Sequence, residues 1–99
     1  MKKFLFLTIG FVQPTREIMD AWGKWFESIK DRIVEQGHCP HGREITHHGT
    51  IDLGLDLNAV TGYLIIKAVD MDDAEKIAKE CPMITSTKVY EIMTMEAGG

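Results

Sequence analysis

Cysteine is scarce in this chain: Cys39 and Cys81 are the two present among 99 residues. Two thiols cannot make a disulfide framework, and their spacing matches no redox motif. Basic residues are also in deficit. Lys and Arg number 11 against 15 Asp and Glu, giving a formal net charge of −4. An acidic surface repels phosphate backbones unless its cations cluster, and here they are scattered. Nucleic acid is therefore not an expected partner. Long apolar runs are missing as well. Phe4 to Val12 is the most apolar stretch, far short of the roughly 20 residues a spanning helix needs. Lys2-Lys3 before it gives the look of a signal peptide, but Gln13-Pro14-Thr15 follows instead of a small-x-small cleavage site. The stretch reads as a retained strand, with no membrane partner and a cytoplasmic location expected.

What is present is ordinary globular composition, 44% hydrophobic and 26% charged, which argues against disorder. The length suits a single domain over residues 1–99. A domain this small buries about two-thirds or less of its unfolded surface, so a partner subunit would add usefully to its core.

Residues 3–9 are short, apolar and aromatic-rich, as a buried strand is. Pro14-Thr15 supplies a break and an N-cap. Ile18, Trp22, Trp25, Phe26, Ile29 and Ile33 then recur at three- and four-residue steps. The pattern predicts an amphipathic helix to about Gln36, stopped at Gly37. A loop over 37–43 leads to a predicted strand over 44–52, with Ile45 and Ile51 on one face and a turn or ragged extension to Asn58. Residues 61–69 make a second strongly apolar strand. Asp70 caps a predicted helix over 71–80, which Pro82 cannot continue. Residues 87–95 form the last strand and 96–99 a tail.

The order is βαββαβ, a ferredoxin-like α+β fold: a four-stranded antiparallel sheet with two helices on one face. Alternation divides each strand into two faces. Leu5, Leu7, Leu64, Ile66, Tyr90 and Ile92, the more aliphatic set, are assigned to the helices. Phe4, Phe6, Thr8, Tyr63, Ile65, Lys67, Val89, Glu91 and Met93 are assigned to the open face. An uncovered apolar face of that size needs a cover, and a second copy across a two-fold axis supplies one. Phe4, Phe6, Tyr63, Ile65 and Met93 are thus the expected homodimer interface.

Several stretches carry a family resemblance. They are Met1 to Leu7, Ala21-Trp22-Gly23-Lys24-Trp25-Phe26, Gly42-Arg43-Glu44-Ile45-Thr46 and Thr61-Gly62-Tyr63-Leu64-Ile65-Ile66. Asp72-Asp73-Ala74-Glu75 with Cys81-Pro82 and Val89-Tyr90-Glu91-Ile92-Met93 complete the set. In order and spacing they resemble the YCII-related (DGPF-type) domain family over nearly the whole chain. The resemblance implies a dimeric α+β barrel, and for some members a small-molecule enzyme. Two departures matter. Asp56-Leu57-Asn58-Ala59 stands where the Asp-Gly-Pro-Phe signature would be. Glu17, Ile18, Met19 and Asp20 stand where one branch has a histidine of its proposed catalytic pair. No catalytic residue carries over.

Chemistry-bearing residues are few. His38, His41, His47 and His48 fall close together with Cys39, but no pair has a common zinc spacing. A solvated His-rich loop and edge is the plainer reading, and no metal or cofactor is expected. His47 and His48 point to opposite faces of the predicted strand, and either could transfer a proton. His48 and Asp52 share a face but lie roughly 13 Å apart along an extended strand, too far for a direct bond. Glu91 and Lys67 each interrupt the apolar non-helix face, so each is either a structural ion-pair partner or a site residue. Trp22 and Trp25 are core residues by position, and would line any cleft between helix and sheet. The cleft candidates are thus Glu91, Lys67, His48, His47, Trp22 and Trp25.

Phe4, Phe6 and Tyr63 also stand where RNA-recognition motifs carry stacking aromatics, but the leading basic residue is missing and the chain is acidic. Two functions stay open: small-molecule binding in a cleft of the homodimer, with or without catalysis, or a non-catalytic dimerisation and accessory module. The first requires a pocket and the second a filled barrel.

Overall fold

A computed structural model describes residues 1–93. Residues 94 and 95, predicted as strand, and 96–99, predicted as a tail, lie outside the described residues. The elements are β1 (Lys2–Ile9), α1 (Arg16–Ile29), a 3-10 turn (Lys30–Arg32), β2 (Ile33–His38), β3 (Gly42–Thr46), β4 (Gly49–Leu53), β5 (Val60–Ala68), α2 (Met71–Lys79) and β6 (Ser86–Ile92). Four strands form one sheet in the order β2-β5-β1-β6, with antiparallel neighbours throughout. Without β3 and β4, the order is the ferredoxin-like βαββαβ. The thinnest extent is 19 Å, room for one sheet and one layer of helices about 10–12 Å across. One face of the sheet is left uncovered by the described residues.

Both helices start where the sequence places caps. Thr15 is extended, and its hydroxyl accepts from the Ile18 N–H at 3.2 Å. Asp70 accepts from the Asp73 N–H at 2.9 Å. Asp73 in turn accepts from the Val69 N–H at 2.9 Å and from Arg32 at 3.0 Å, which ties the entry of α2 to the corner before β2.

Two elements differ from expectation. The first helix stops at Ile29, and residues 33–38 form an edge strand paired with β5. Ile33 fits the helical repeat, but Ile33-Val34 is also a β-branched pair, and the free edge of β5 offers a backbone ladder that local periodicity does not register. The predicted strand over 44–52 is a hairpin instead. Its strands β3 and β4 pair with each other and stand apart from the main sheet. His47 and His48 make its two-residue turn, and Gly49 follows at φ +145°, a backbone that L side chains rarely adopt. The fold-back places Ile45 opposite Thr50 and Ile51 opposite Glu44, so the two isoleucines lie on opposite faces rather than one.

The face assignment also changes. Phe4 pairs with Ile66 and Glu91, and Phe6 with Leu64 and Val89. Directly paired residues share a face. Phe4, Phe6, Leu64, Ile66 and Val89 therefore lie under the helices. Phe4, Phe6 and Ile66 are fully buried in a core completed by Trp25, Ile29, Ala74, Ala78 and Cys81. Leu5, Leu7, Tyr63, Ile65, Tyr90 and Ile92 occupy the uncovered face. Phe4 and Phe6 are thus core residues and cannot line a subunit seam. Tyr63 and Ile65 do lie on the uncovered face, half-buried, and Met93 is exposed just beyond β6. Alternation sorts residues within one strand, but only the inter-strand register sets which set of β1 joins which set of β5. The Phe rings fill the space beneath Trp25; Leu5 and Leu7 are left outside.

Candidate functional site

β1 ends at Ile9, the chain leaves through Gly10 to Pro14, and α1 returns across the sheet. At this end the sheet carries small residues: Thr8 on β1, Thr61 and Gly62 on β5, and Gly37 on β2. Opposite them α1 presents Ile18, Met19, Trp22, Trp25 and Phe26. Small residues facing large rings leave a gap. The result is a cleft of about 590 Å³, with Phe6 and Leu64 also in its wall and Phe11, Val12 and Pro14 along one side. That volume lies within the roughly 300–1,000 Å³ usual for small-molecule sites.

The α1 wall is a packed aromatic group. Trp22 meets Trp25 edge-on with centroids 5.6 Å apart, and lies 5.7 Å from Phe26. Trp25 stacks on Phe6 at 6.5 Å and donates its indole N–H to the Ile77 carbonyl at 3.2 Å. Those contacts hold Trp25 in place, while Trp22 is only partly buried.

Polar groups gather at the sheet end. Thr8 Oγ1 and Thr61 Oγ1 are 3.3 Å apart. Thr8 Oγ1 lies 3.2 Å from the Gly62 carbonyl, and Thr61 Oγ1 3.2 Å from the Thr8 carbonyl. His38 and Cys39 end β2 at the same mouth, where the Cys39 N–H donates to the Thr61 carbonyl at 2.9 Å. The grouping of Thr8, Thr61, His38 and Cys39 was not anticipated from sequence, since it depends on strands joined out of chain order.

Of the cleft candidates that the sequence suggests, Trp22 and Trp25 line the cleft. Glu91 and Lys67 do not. Glu91 is on the helix side at the far end of the sheet, paired with Phe4, and reaches Lys2 at 3.8 Å in a solvated contact. Lys67 is exposed on the opposite face, paired with Lys3. His47 and His48 sit exposed in the hairpin turn, away from the cleft, and not on opposite faces of a strand. Among the described residues, no three His, Cys, Asp or Glu side chains stand close enough together to hold a metal ion.

Among the described residues three titratable groups are perturbed, and one of them, Tyr63, also lines the cleft. The Tyr63 hydroxyl donates to Glu35 at 2.5 Å across Gly37, and that bond raises its pKa above the ordinary phenol value. Burial raises the Cys81 thiol, which rests against Thr87 at 3.2 Å and is a structural group. The Val69 N–H, followed by Arg32, holds Asp73 below the usual carboxylate range.

No protein-family model matches the chain, and no curated protein matches it. Solved structures do. The chain is similar to the 5-chloro-2-hydroxyhydroquinone dehydrochlorinase TftG from Burkholderia phenoliruptrix AC1100, in its complex with 2,5-dihydroxybenzoquinone. The TM-score is 0.59 at 18% sequence identity, over 92% of this chain and 93% of that one. The fold is shared. At that identity the likeness establishes the α+β architecture with its four-stranded antiparallel sheet and two helices, and nothing about substrate. Among the described residues no helix is long and apolar enough to cross a membrane.

Proposed function

We propose that this chain is a distant YCII-related protein, a cytoplasmic homodimer that binds a small molecule in the cleft between α1 and the β1–β5 end of the sheet. The observation that carries this reading is the cleft itself, large enough for a ligand and walled by both tryptophans of the chain. A purely structural dimerisation module has no need of such a void, since an unfilled apolar space loses packing contacts. The similar fold of an enzyme with a bound quinone supports the same reading. Any proton transfer in the cleft would fall to His38, Cys39 or Tyr63, the titratable side chains in its lining. The homodimer rests on the uncovered face, where Leu5, Leu7, Tyr63, Ile65, Tyr90 and Ile92 make an apolar surface suited to a second copy.

Native mass spectrometry of the protein as purified from cells tests both parts. The expected species is twice the chain mass, with an added small-molecule mass that Trp22→Ala loses. A monomer would overturn the dimer. A retained molecule unaffected by Trp22→Ala would move the site elsewhere.

A further inference from the structure

The polarity of the cleft lining, together with the hydrogen bonds its hydroxyls already make, restricts the ligand. We infer that the cleft selects an uncharged aromatic ring compound carrying a hydroxyl or N–H donor, a phenol-type molecule, in preference to an anion of the same shape. The inference rests on the cleft being a ligand site.

Charge is the first argument. Among the described residues lining the cleft, none is Asp, Glu, Lys or Arg. A carboxylate or phosphate entering it would lose hydration and meet no Lys or Arg, the basic side chain in the lining being His38 at the mouth, and desolvation is costly for any ion. The start of α1 borders the cleft at Pro14 and Ile18, and a helix N-terminus attracts anions. Here Thr15 already takes the Ile18 N–H, and Glu17 sets a negative charge in the first turn.

Hydroxyl valence is the second argument. A threonine hydroxyl has one proton to donate and two lone pairs to accept with. Thr8 has the Gly62 carbonyl at 3.2 Å or Thr61 Oγ1 at 3.3 Å for its proton. Thr61 has the Thr8 carbonyl at 3.2 Å and the Gly10 carbonyl at 3.4 Å. Both protons are engaged within the chain, so the pair faces a ligand with lone pairs. At this pair the donor comes from the ligand. Trp22 and Phe26 then offer their rings to an aromatic body.

Three probes of one shape test this at pH 7.5: 2-naphthol, 2-methoxynaphthalene and 2-naphthoate. Affinities come from calorimetry, and the indole N–H signal of Trp22 in nitrogen-15 correlation spectra reports whether each binds in the cleft. The expected order is 2-naphthol first, 2-methoxynaphthalene about fivefold weaker for want of a donor, and 2-naphthoate at least about tenfold weaker. Thr8→Val should erase the difference between the two neutral probes. If 2-naphthoate binds as well as 2-naphthol and shifts Trp22, the cleft stands and the ligand class is wrong. Equal binding of the two neutral probes to the unaltered protein would overturn the donor requirement. If none of the three shifts Trp22 up to its solubility limit, the cleft is not a ligand site and the proposed function falls with it.

Discussion

Trp25 stacks on Phe6 with ring centroids 6.5 Å apart and planes 25° from parallel. This contact joins α1 to the central strand and fixes which face of β1 is core. It also forms part of the cleft wall. Stability and site therefore share a residue pair, and substitutions on the two faces of β1 should separate in their effects.

Phe6→Asp should unfold the monomer, because it removes a fully buried ring and buries a charge. The cost should exceed about 3 kcal/mol. Leu7→Asp, one residue along on the uncovered face, should leave the fold intact and weaken the proposed dimer. Circular dichroism with light scattering separates the two. A folded, monomeric Phe6→Asp protein would contradict the face assignment.

Asp73 gives a pH signature. Its folded pKa lies below its unfolded value, chiefly through the Val69 N–H and then Arg32. Its contribution is therefore complete above the unfolded carboxylate pKa, about 3.9, and is lost as pH falls through the lower folded value. Asp73→Asn should lower the melting temperature at pH 7 and flatten the decline on the acid side. Melts from pH 2.5 to 7 check this; an unchanged acid slope would remove Asp73 from the account.

Gly37 is required by close approach. A Cβ there would run into the Tyr63 ring, which crosses Gly37 to reach Glu35. Gly37→Ala should displace the ring, break that bond and lower the melting temperature. In a Tyr63→Ala background the same change should be close to neutral or mildly stabilising. Equal effects in both backgrounds would show that the two residues are not coupled.

Glu91→Gln should change stability by less than about 0.5 kcal/mol, because its contact with Lys2 is long and solvated. It should not alter binding in the cleft, which lies at the other end of the sheet. Thermal melting and the 2-naphthol titration check both statements.

Much of the architecture is legible in the sequence because it is local. Thr15 and Asp70 announce their helices through cap chemistry, and the Ile18–Trp22–Trp25–Phe26–Ile29 repeat marks the inward face of α1. What is not legible depends on pairing. Ile33 and Val34 satisfy a helical repeat and an edge strand alike, and only the free ladder of β5 decides. His47-His48-Gly49 lies within a stretch whose alternation suits a continuous strand, and the self-pairing of β3 with β4 makes it a turn. The phase of Phe4 and Phe6 follows from register with Leu64 and Ile66, which alternation within β1 does not contain. The same holds for the site. The two tryptophans follow from helical spacing, whereas Thr8, Thr61, His38 and Cys39 meet only through β1, β5 and β2. Small residues at strand ends, opposite a helix rich in rings, were the available hint. Glu91 and Lys67 are polar breaks in apolar strands, but both lie toward strand ends where solvent reaches them.

The proposed binding site is the gap between α1 and the β1–β5 end of the sheet. The most direct measurement is a nitrogen-15 chemical-shift map of the protein titrated with 2-naphthol. Binding in the cleft should concentrate the shifts at the Trp22 indole and the amides of Thr8, Thr61, Gly62 and Ile18, with Leu5, Ile65 and Tyr90 unmoved. Shifts gathered instead on Leu5, Leu7, Ile65 and Tyr90 would place the ligand on the uncovered face and contradict it.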